Sequence, residues 1–598
     1  MRLLAALCLA IGAAGRPTSR PSPSPVEYTL RVDSTDLSGI TVAMRIHGAP
    51  AGFRLAMVAH PEYDDQYWRY LAGLRGESAN GEVRIVREDS SLWRVDAPPG
   101  DVTIHYRVRF PTLPVGPRPA WKAYLTPVGG LIGGPHSFLY VVGSENAPST
   151  VTLSMPASWD VATGLTHTGS RAYSATSVET LADSPILVGQ FRQWNFDIDG
   201  VLHRIAYLGD PAGVPFDTAT FRNGVERLAR ETVRTMGHTP YRHYDFLFED
   251  AAFGALEHVH SVTIGTTSAN LAGDPNAYLA QTAHEFFHTW NLVNVRPANW
   301  IGVRRVAPPP TAELWWSEGV TLYFADLLTR RAGLLTTDLT RLVHTEQLMA
   351  RYLANPSHAT VSPEQTSRKS NARWPANGDY TPSMYTQGEL LGVVLDLMIR
   401  DRTRGRRSLD DVMRTLAQRF TPGHGFTDSD LESIVGEVCD CSARAIFDRS
   451  VRGAGAPDVA RWLPQLGLRL AVTWAAATAP DGSPLPDTRL SATLVPGDSV
   501  LRLQVWFPAT AWGKAGLHSG DQLVSWNGAR FGDVRQWRAA LGALRVGDTV
   551  RVAVQHGARA FETTVTVPGY ERPTVRIEER PDANDTQRAL RKRWLAGQ

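Results

Sequence analysis

The spacing of apolar residues changes twice along the chain. Between residues 26 and 210, apolar and polar residues alternate, for example in 28–33, 102–110 and 151–155. Alternation with a period of two is typical of strands that bury one face, and turn residues such as 97–100 separate these runs. We therefore predict a β-rich N-terminal domain.

Helical spacing replaces this alternation after residue 217. Apolar residues recur every three or four positions in 221–236, and a short strand pattern follows at 244–248. Helical patterns then continue to residue 452; one helix is predicted through 390–399 and another after Ser408, a favourable N-cap. Strand patterns return after the Gly-rich residues 453–457.

These changes predict a multidomain α+β protein. At 598 residues the chain is too long for a single hydrophobic core. After the N-terminal domain of residues 26–210, we predict a domain of mixed helices and strands over 211–345 and a helical domain over 346–456. A small β domain over 457–570 and a tail over 571–598 complete the chain.

The net charge of +2 gives no sign of a nucleic-acid partner. The basic run 591–593 lies in the tail, where we interpret it as a solvated helix end. The apolar run at the N-terminus is too short to cross a bilayer, which needs about 20 residues, and no other stretch is long and apolar enough. We therefore expect no transmembrane segment.

The N-terminus resembles an export signal. Arg2 precedes the apolar run 3–14, and small residues follow at 12–15, where a peptidase could cut. We predict a signal peptide over residues 1–15, a linker over 16–25, and a periplasmic or secreted protein. Cys8 would leave with the signal; a lipid anchor on it is disfavoured because the bulky Leu7 precedes it.

Two other cysteines remain, Cys439 and Cys441. Their spacing could close a small disulfide in an oxidising compartment, or they could be free thiols in a loop at a helix end. The sequence leaves these two alternatives open. No second Cys or His pair lies nearby, so a metal site there is not expected.

The sequence His284-Glu285-Phe286-Phe287-His288 indicates a metal site. On a helix, positions i and i+4 share one face, so the two imidazoles converge on a point that suits zinc. Glu285 is then placed to take a proton from an attacking water molecule. Phe286 and Phe287 make the helix apolar, and two histidines on a buried helix need partners.

A catalytic zinc site needs a third protein ligand. The best candidate is Glu318, thirty residues after His288 in an apolar segment with Trp315 and Trp316. A carboxylate in such surroundings is costly unless it is paired or metal-bound. His258 and His260 are rival ligands, but they lie upstream in a strand-like stretch.

Several motifs resemble one known family. The residues HEFFHTWN at 284–291 and LWWSEG at 314–319 resemble the gluzincin metallopeptidases, and the string at 515–528 resembles a PDZ domain. Their order resembles the glycyl aminopeptidase family, exported gluzincins with a β-rich N-terminal domain. Four further stretches fit that family: 183–189, 240–247, 254–258 and 408–413. The resemblance implies a thermolysin-like zinc catalytic domain and a C-terminal PDZ domain.

The resemblance also implies residue roles. One zinc ion per chain would be held by His284, His288 and Glu318, with Glu285 as general base and then proton shuttle. Glu257, in the stretch that begins with Gly254 and Ala255, would hold the α-ammonium of the substrate. Tyr385 would hydrogen-bond the oxyanion. The alternatives are a strand-end salt bridge for Glu257 and a helix-packing role for Tyr385.

The chain departs from the family pattern at three places. Ala255 replaces a glycine and narrows the backbone approach to substrate, and Gln387 replaces the lysine that follows the tyrosine. The aromatic signature of the N-terminal domain is degraded to the sequence at residues 60–68. None of the three removes a predicted metal ligand, so we expect an active enzyme.

The combined prediction is a zinc aminopeptidase that releases small N-terminal residues, by resemblance Gly or Ala, from peptides. A zinc endopeptidase in which Glu257 is only structural is the alternative within the same chemistry. An inactive PDZ adaptor is a third interpretation, which the intact set of His284, Glu285, His288 and Glu318 disfavours. The expected partners are peptide substrates and a peptide or protein ligand of the PDZ domain.

Overall fold

The computed structural model describes residues 26–59, 66–112, 116–303, 305, 308–334, 339–370, 383–494, 500–505 and 507–598. The predicted signal peptide, the linker, Cys8 and most of the 60–68 signature lie outside the described residues. In the ranges that are described, no helix has both the length and the apolar character needed to span a bilayer.

The N-terminal domain is built from strands, as predicted. In β1, VEYTLRVD, every second side chain is buried, which is the alternation visible in the sequence. The strands are β1 Val26–Asp33, β2 Asp36–Ala49, β3 Phe53–Met57, β4 Leu71–Ser78, β5 Gly81–Arg87, β6 Leu92–Asp96, β7 Gly100–Arg109, β8 Arg118–Pro119, β9 Tyr124–Thr126, β10 Gly129–Ile132, β11 Leu139–Val141, β12 Ser149–Ser154, β13 Asp160–Thr163, β14 Thr166–Gly169, β15 Ala172–Ala175 and β16 Ile186–Gly189.

Two sheets organise this domain. Eleven strands follow the order β11-β3-β6-β5-β4-β7-β2-β1-β12-β15-β14, and four follow the order β13-β16-β10-β9. Two short helices, α1 Gly134–Ser137 and α2 Val178–Ala182, connect the strands, and a 3₁₀ turn covers Tyr67–Tyr70. Most of the inward side chains form one core, and a second, smaller cluster packs the four-stranded sheet against Leu208 and Leu247 of the next domain.

The next domain packs helices on a five-stranded sheet of order β17-β18-β19-β22-β21, in which β21 is an edge strand. Strands β18, β19 and β22 are parallel, and β21 returns antiparallel to β22. The elements are β17 Arg192–Ile198, β18 Val201–Leu208, α3 Thr218–Met236, β19 His243–Glu249, β20 Ala252–Phe253, β21 Ala255–Glu257, β22 Ser261–Gly265, α4 Ser268–Gly273, α5 Leu279–Phe287, a 3₁₀ turn Ala298–Trp300, a π-helix Trp315–Val320 and α6 Thr321–Arg331.

A helical domain follows and shares its core with the sheet domain. Its α10 begins after Ser408, whose N–H donates to Asp411 at 2.9 Å, as expected of a capped helix start. The elements are α7 Leu339–Ala354, a 3₁₀ turn Pro356–Ala359, α8 Pro363–Ser370, α9 Met384–Thr403, α10 Leu409–Arg419, α11 Asp428–Cys439, α12 Arg444–Ile446, a π-helix Phe447–Arg452, α13 Val459–Trp462 and a 3₁₀ turn Leu463–Leu466. Cys439 and Cys441 form a disulfide.

The C-terminal region contains a small barrel-like domain with a separate core. Its sheet has the order β24-β25-β26-β27-β28. The elements are β23 Leu468–Ala476, β24 Leu490–Leu494, β25 Leu501–Val505, α14 Ala511–Lys514, β26 Gln522–Trp526, α15 Val534–Gly542, β27 Thr549–His556, β28 Arg559–Thr566, β29 Glu571–Glu579 and α16 Asp585–Leu595.

The small domain is an insertion between two paired strands. β23 precedes it, β29 follows it, and the two pair antiparallel along their whole length. The chain enters and leaves the small domain at one place, which we call the neck. There the Asp487 N–H donates to the Pro568 carbonyl at 2.7 Å. After β29 the chain returns to the helical domain, where the fully buried Trp594 of α16 joins the core.

The fold class predicted from the sequence is confirmed, but two of its boundaries differ in the structure. β17 and β18 belong to the sheet of β19, so the N-terminal domain ends near residue 190 rather than 210. β23, which the prediction places in the domain of residues 457–570, pairs with β29 of the predicted tail, and residues of both strands join the core of the helical domain. Strand pairing decides both boundaries, and local periodicity carries no information about pairing partners.

Candidate metal centre and substrate site

Helix α5 carries the first two candidate ligands. Its apolar residues, including the fully buried Phe286 and Phe287, pack into the core and leave one face free for His284 and His288. The helix ends at Phe287, yet the His288 N–H still donates to the His284 carbonyl at 3.2 Å, so the i, i+4 relation is kept. Both imidazoles are buried.

Three side-chain atoms meet at one point. The two Nε2 atoms of His284 and His288 lie 3.0 Å apart, and Glu318 Oε2 lies 3.3 Å and 3.4 Å from them. For zinc ligands at roughly 2.0–2.1 Å, tetrahedral geometry requires about 3.3–3.4 Å between ligand atoms. The donor set therefore fits a tetrahedral zinc ion with a fourth position left for substrate or water. Glu285 also lies close to the two histidines, with the ligand atoms of the three residues within 4.8 Å of one another.

The backbone after α5 sets the tautomer of His288. Its Nδ1 lies 2.9 Å from the carbonyl oxygen of Asn291, which can only accept, so Nδ1 carries the proton. A neutral ring then presents a lone pair on Nε2, the atom that faces the other two ligands. This outer contact is the kind that orients a metal-binding histidine.

Asn291 also ties the helix to the third ligand. Its Nδ2 donates to Thr321 Oγ1 at 2.9 Å and to the Trp316 carbonyl at 3.2 Å, and both acceptors flank Glu318. Asn291 is fully buried. Sequence reasoning assigned it no role; the signal that could have found it is a polar residue inside an apolar run directly after the second histidine.

Glu318 lies in the π-helix Trp315–Val320 rather than at the start of an ordinary helix. A π-turn is wider than an α-turn and is common at functional sites. The turn packs against α9 through two glycines: a Cβ on Gly319 would lie 2.5 Å from Gly388 Cα, and one on Gly388 would lie 1.9 Å from the Trp315 carbonyl oxygen. The close approach therefore requires glycine at both positions.

The ionisable groups of this cluster change one another's pKa values. Burial raises the pKa of the Glu285 carboxyl, against the attraction of the two histidines. Burial alone would raise the pKa of Glu318 as well, but the charges and hydrogen bonds of His288 and His284 lower it overall. Burial would lower the pKa of His288, but the carboxylates of Glu318, Glu257 and Glu285 raise it well above its usual value.

Helix α9 brings Tyr385 to the same site. The Tyr385 ring centroid lies 6.2 Å from that of His284, and the side chain is 41% exposed. This exposure does not fit the alternative of a tyrosine that only packs between helices. Gln387, which replaces the family lysine, is buried, and its Nε2 donates to the Val361 carbonyl at 2.8 Å.

Edge strand β21 carries Ala255 and Glu257 beside the metal cluster. Gly254, just before it, has a φ of +72°, and a Cβ there would lie 2.5 Å from the ring of Trp121 in the N-terminal domain. Ala255 is half-buried and packs against the core of the sheet domain. Glu257 is half-buried and lines a cavity of about 170 Å³ between the two domains.

The rival ligands lie elsewhere. His258 is buried with its Nδ1 3.3 Å from Asp183 Oδ1, and the Nδ1 of His260 lies 3.2 Å from the Gly164 carbonyl oxygen. Neither belongs to the metal-binding group that the described residues form. The structure therefore brings together His284, Glu285, His288, Glu318 and Tyr385 and leaves out the two rivals.

Three family models match the chain. They are the peptidase M61 N-terminal domain over residues 27–190, the M61 glycyl aminopeptidase over 277–391 and a PDZ domain over 508–567. The chain belongs to the M61 glycyl aminopeptidase family. It is therefore a zinc metallopeptidase of the aminopeptidase type, and the second match contains all three candidate ligands and Tyr385.

One solved structure shares this fold over nearly the whole M61 chain, and a second, less similar structure is also matched. A crystal structure of an aminopeptidase N family protein from Idiomarina loihiensis superposes with a TM-score of 0.75 at 19% identity, covering 94% of this chain and 99% of that chain. An M1 zinc metallopeptidase variant from Deinococcus radiodurans has a TM-score of 0.47 at 18% identity, covering 73% and 95%. A comparison with curated protein sequences found no match.

Proposed function

We propose that this M61 chain removes the first residue of peptides that have a free α-amine and a small N-terminal side chain, Gly or Ala. The observation that carries the proposal is the placement of Glu257 at the end of edge strand β21, which lies against α5, the helix of the two histidines. A carboxylate beside the reacting centre is a natural partner for a substrate ammonium group.

The edge strand supports a direction for the substrate. Among the described strands, β21 pairs only with β22, so its other edge can accept an extended peptide. Glu257 is the last residue of β21. A peptide that runs antiparallel to β21 would therefore begin at Glu257, and its first peptide bond would lie next to the metal ligands.

His284, His288 and Glu318 would hold one zinc ion per chain. When bound, zinc supplies a Lewis acid that polarises the scissile carbonyl and makes water a better nucleophile. Glu285 accepts the proton of the attacking water and then donates it to the leaving amine. Tyr385 donates a hydrogen bond to the developing oxyanion, and Glu257 holds the ammonium group so that the first peptide bond is the one attacked.

The preference for Gly or Ala rests on family membership and on the backbone at residues 254–255. Gly254 is held against Trp121, and the methyl of Ala255 occupies space where the family pattern has glycine. Both features narrow the space beside β21 that the N-terminal side chain of the substrate would occupy. The test is a series of aminoacyl-anilides from Gly through Leu, in which the expected order of kcat/KM follows decreasing side-chain size.

The decisive experiment compares a dipeptide with its N-acetyl form. A blocked amine cannot supply the positive charge that the Glu257 carboxylate would bind in the substrate complex, at a cost of roughly a few kcal/mol, so the wild type should cleave the free form at least about 100-fold faster. Glu257→Ala should lose most of that discrimination, and the isosteric Glu257→Gln separates loss of charge from loss of shape. Equal cleavage of both forms by the wild type would favour the endopeptidase alternative.

We also propose that the chain is exported and that the PDZ domain binds a peptide or protein ligand. Export is supported by the N-terminal 15 residues and by the Cys439–Cys441 disulfide, which is typical of oxidising compartments. Cell fractionation with N-terminal sequencing of the mature chain tests export. Recovery of an uncleaved chain in the cytoplasm would contradict it.

A further inference from the structure

Helix α2 of the N-terminal domain ends directly beside the strand that carries Glu257. Asp183, the C-cap residue of α2, has both carboxylate oxygens turned toward this strand. Its Oδ2 accepts the Val259 N–H at 2.8 Å, and its Oδ1 lies 3.3 Å from His258 Nδ1. A carboxylate can only accept, so His258 must carry its proton on Nδ1 in this contact.

These contacts fall on the tight turn between β21 and β22. Glu257 pairs with Val262, and the turn closes when the His258 N–H donates to the Ser261 carbonyl at 2.9 Å. Asp183 contacts the two residues that follow Glu257. The backbone of Glu257 is therefore fixed by β22 on one side and by a carboxylate of a different domain just beyond it.

The same helix also contacts the opposite wall of the cavity. Glu179 forms an ion pair with Arg296, whose Nη2 donates to the Val293 carbonyl at 2.7 Å in the segment after the metal helix. Glu179, Asp183, Glu257 and Arg296 all line the cavity between the domains. One short helix thus connects the strand of the amine clamp with the segment that follows the metal ligands.

We propose that Asp183 is a positioning residue for the amine-binding carboxylate of Glu257. Asp183 fixes the turn, and the turn fixes how far the Glu257 carboxylate lies from the reacting centre. The inference rests on the proposed function, because it assumes that Glu257 holds the substrate amine. It implies that the N-terminal domain, whose described residues include no candidate metal ligand, helps to set exopeptidase specificity.

Two small hydroxamates isolate the amine contact. Glycine hydroxamate and acetohydroxamate share the metal-chelating group, but only the first has an α-amine. The measured quantity is the dissociation constant of acetohydroxamate divided by that of glycine hydroxamate, both determined by calorimetry on the zinc-loaded protein. Because both ligands use the same metal contacts, a uniform loss of zinc or of stability cancels from the ratio.

The expected result is a specific loss of amine recognition. Asp183→Ala should lower the ratio by about tenfold or more while acetohydroxamate binding changes by less than about threefold. Asp183→Ala in a Glu257→Ala background should have no further effect, since residues that act through one contact are not additive. Asp183→Asn, which keeps one acceptor, covers the case in which the alanine variant does not fold; it should lower the ratio by about threefold or more.

A matched control is Asp217→Ala. Asp217 is also a carboxylate that accepts two backbone N–H groups, those of Ala219 and Thr220, at the start of α3 and outside the cavity lining. It should leave the ratio unchanged. An unchanged ratio in the Asp183 variants, or an equal loss of affinity for both ligands, would overturn the inference. An unchanged ratio in Glu257→Ala would instead contradict the proposed function, because Glu257 would then not bind the substrate amine.

Discussion

The contact between α9 and the π-helix allows one substitution to test the whole site. Gly388→Ala adds a single methyl group at the point where α9 crosses the turn that carries Glu318. In the structure, a Cβ at this position would lie 1.9 Å from the Trp315 carbonyl oxygen and 2.8 Å from Gly319 Cα. Both neighbours are backbone atoms, so no side chain can rotate away to make room.

The size of the effect follows from these distances. Real Cβ atoms do not approach other heavy atoms closer than 3.0 Å, so α9 and the π-helix must separate by about 1 Å. Overpacking of this kind lowers the free energy of unfolding by about 1–3 kcal/mol. The better helix propensity of alanine offsets at most about 1 kcal/mol of that loss. Tyr385 and Glu318 move apart with the two elements, and a misplacement of about 1 Å can cost about 100-fold in rate.

The assay combines thermal unfolding, zinc content and hydrolysis of glycyl-anilide. Gly388→Ala should unfold a few degrees lower and lose about 100-fold or more in kcat/KM. Gly542→Ala, at the end of α15, is the matched control because a Cβ there meets nothing within 4 Å. It should leave activity unchanged. Wild-type stability and turnover in Gly388→Ala would refute the argument that this contact positions the site.

Three further predictions concern the metal centre and the PDZ domain. Glu285→Gln should keep zinc and fold but lose a factor of about 100 to 10,000 in turnover, because an amide cannot accept the proton; normal turnover would remove the proposed base. The wild type should bind one zinc per chain and Glu318→Ala should lose it, as a metal assay will show; full zinc occupancy in that variant would mean another third ligand. Replacing residues 488–567 by a short Gly-Ser linker should leave zinc binding and dipeptide hydrolysis intact, because Asp487 and Pro568 already meet at the neck; a folded protein without zinc would show that the PDZ domain supports the metal site.

The sequence was sufficient wherever a feature is local. Alternation in β1 and helical spacing in α3 reflect one buried face each, so periodicity predicts both elements. The spacing of His284 and His288 fixes their convergence in the same way. Glu318 could be chosen because a carboxylate between tryptophans needs a partner, and its distances to the two histidines agree with that choice.

Features that depend on contacts between distant segments could not be predicted. The crossing of Gly319 and Gly388, the hydrogen bonds of Asn291 to the π-helix, and the contact of Asp183 with Val259 all join residues from separate elements. No periodicity encodes such pairings. The same reason explains the misplaced boundaries, since β18 pairs with β19 from beyond the predicted domain end.

The candidate metal ligands and the proposed amine clamp differ in how they are held in place, and this difference has a functional consequence. His284, His288 and Glu318 are joined by contacts within one core, through Asn291 and the π-helix. Glu257 lies on an edge strand whose turn is held by Asp183 from another domain. A shift of the N-terminal domain would therefore move the carboxylate proposed to bind the ammonium group while leaving the candidate metal ligands in place. Substitutions at this domain interface should change which peptides are cleaved before they change whether zinc is bound.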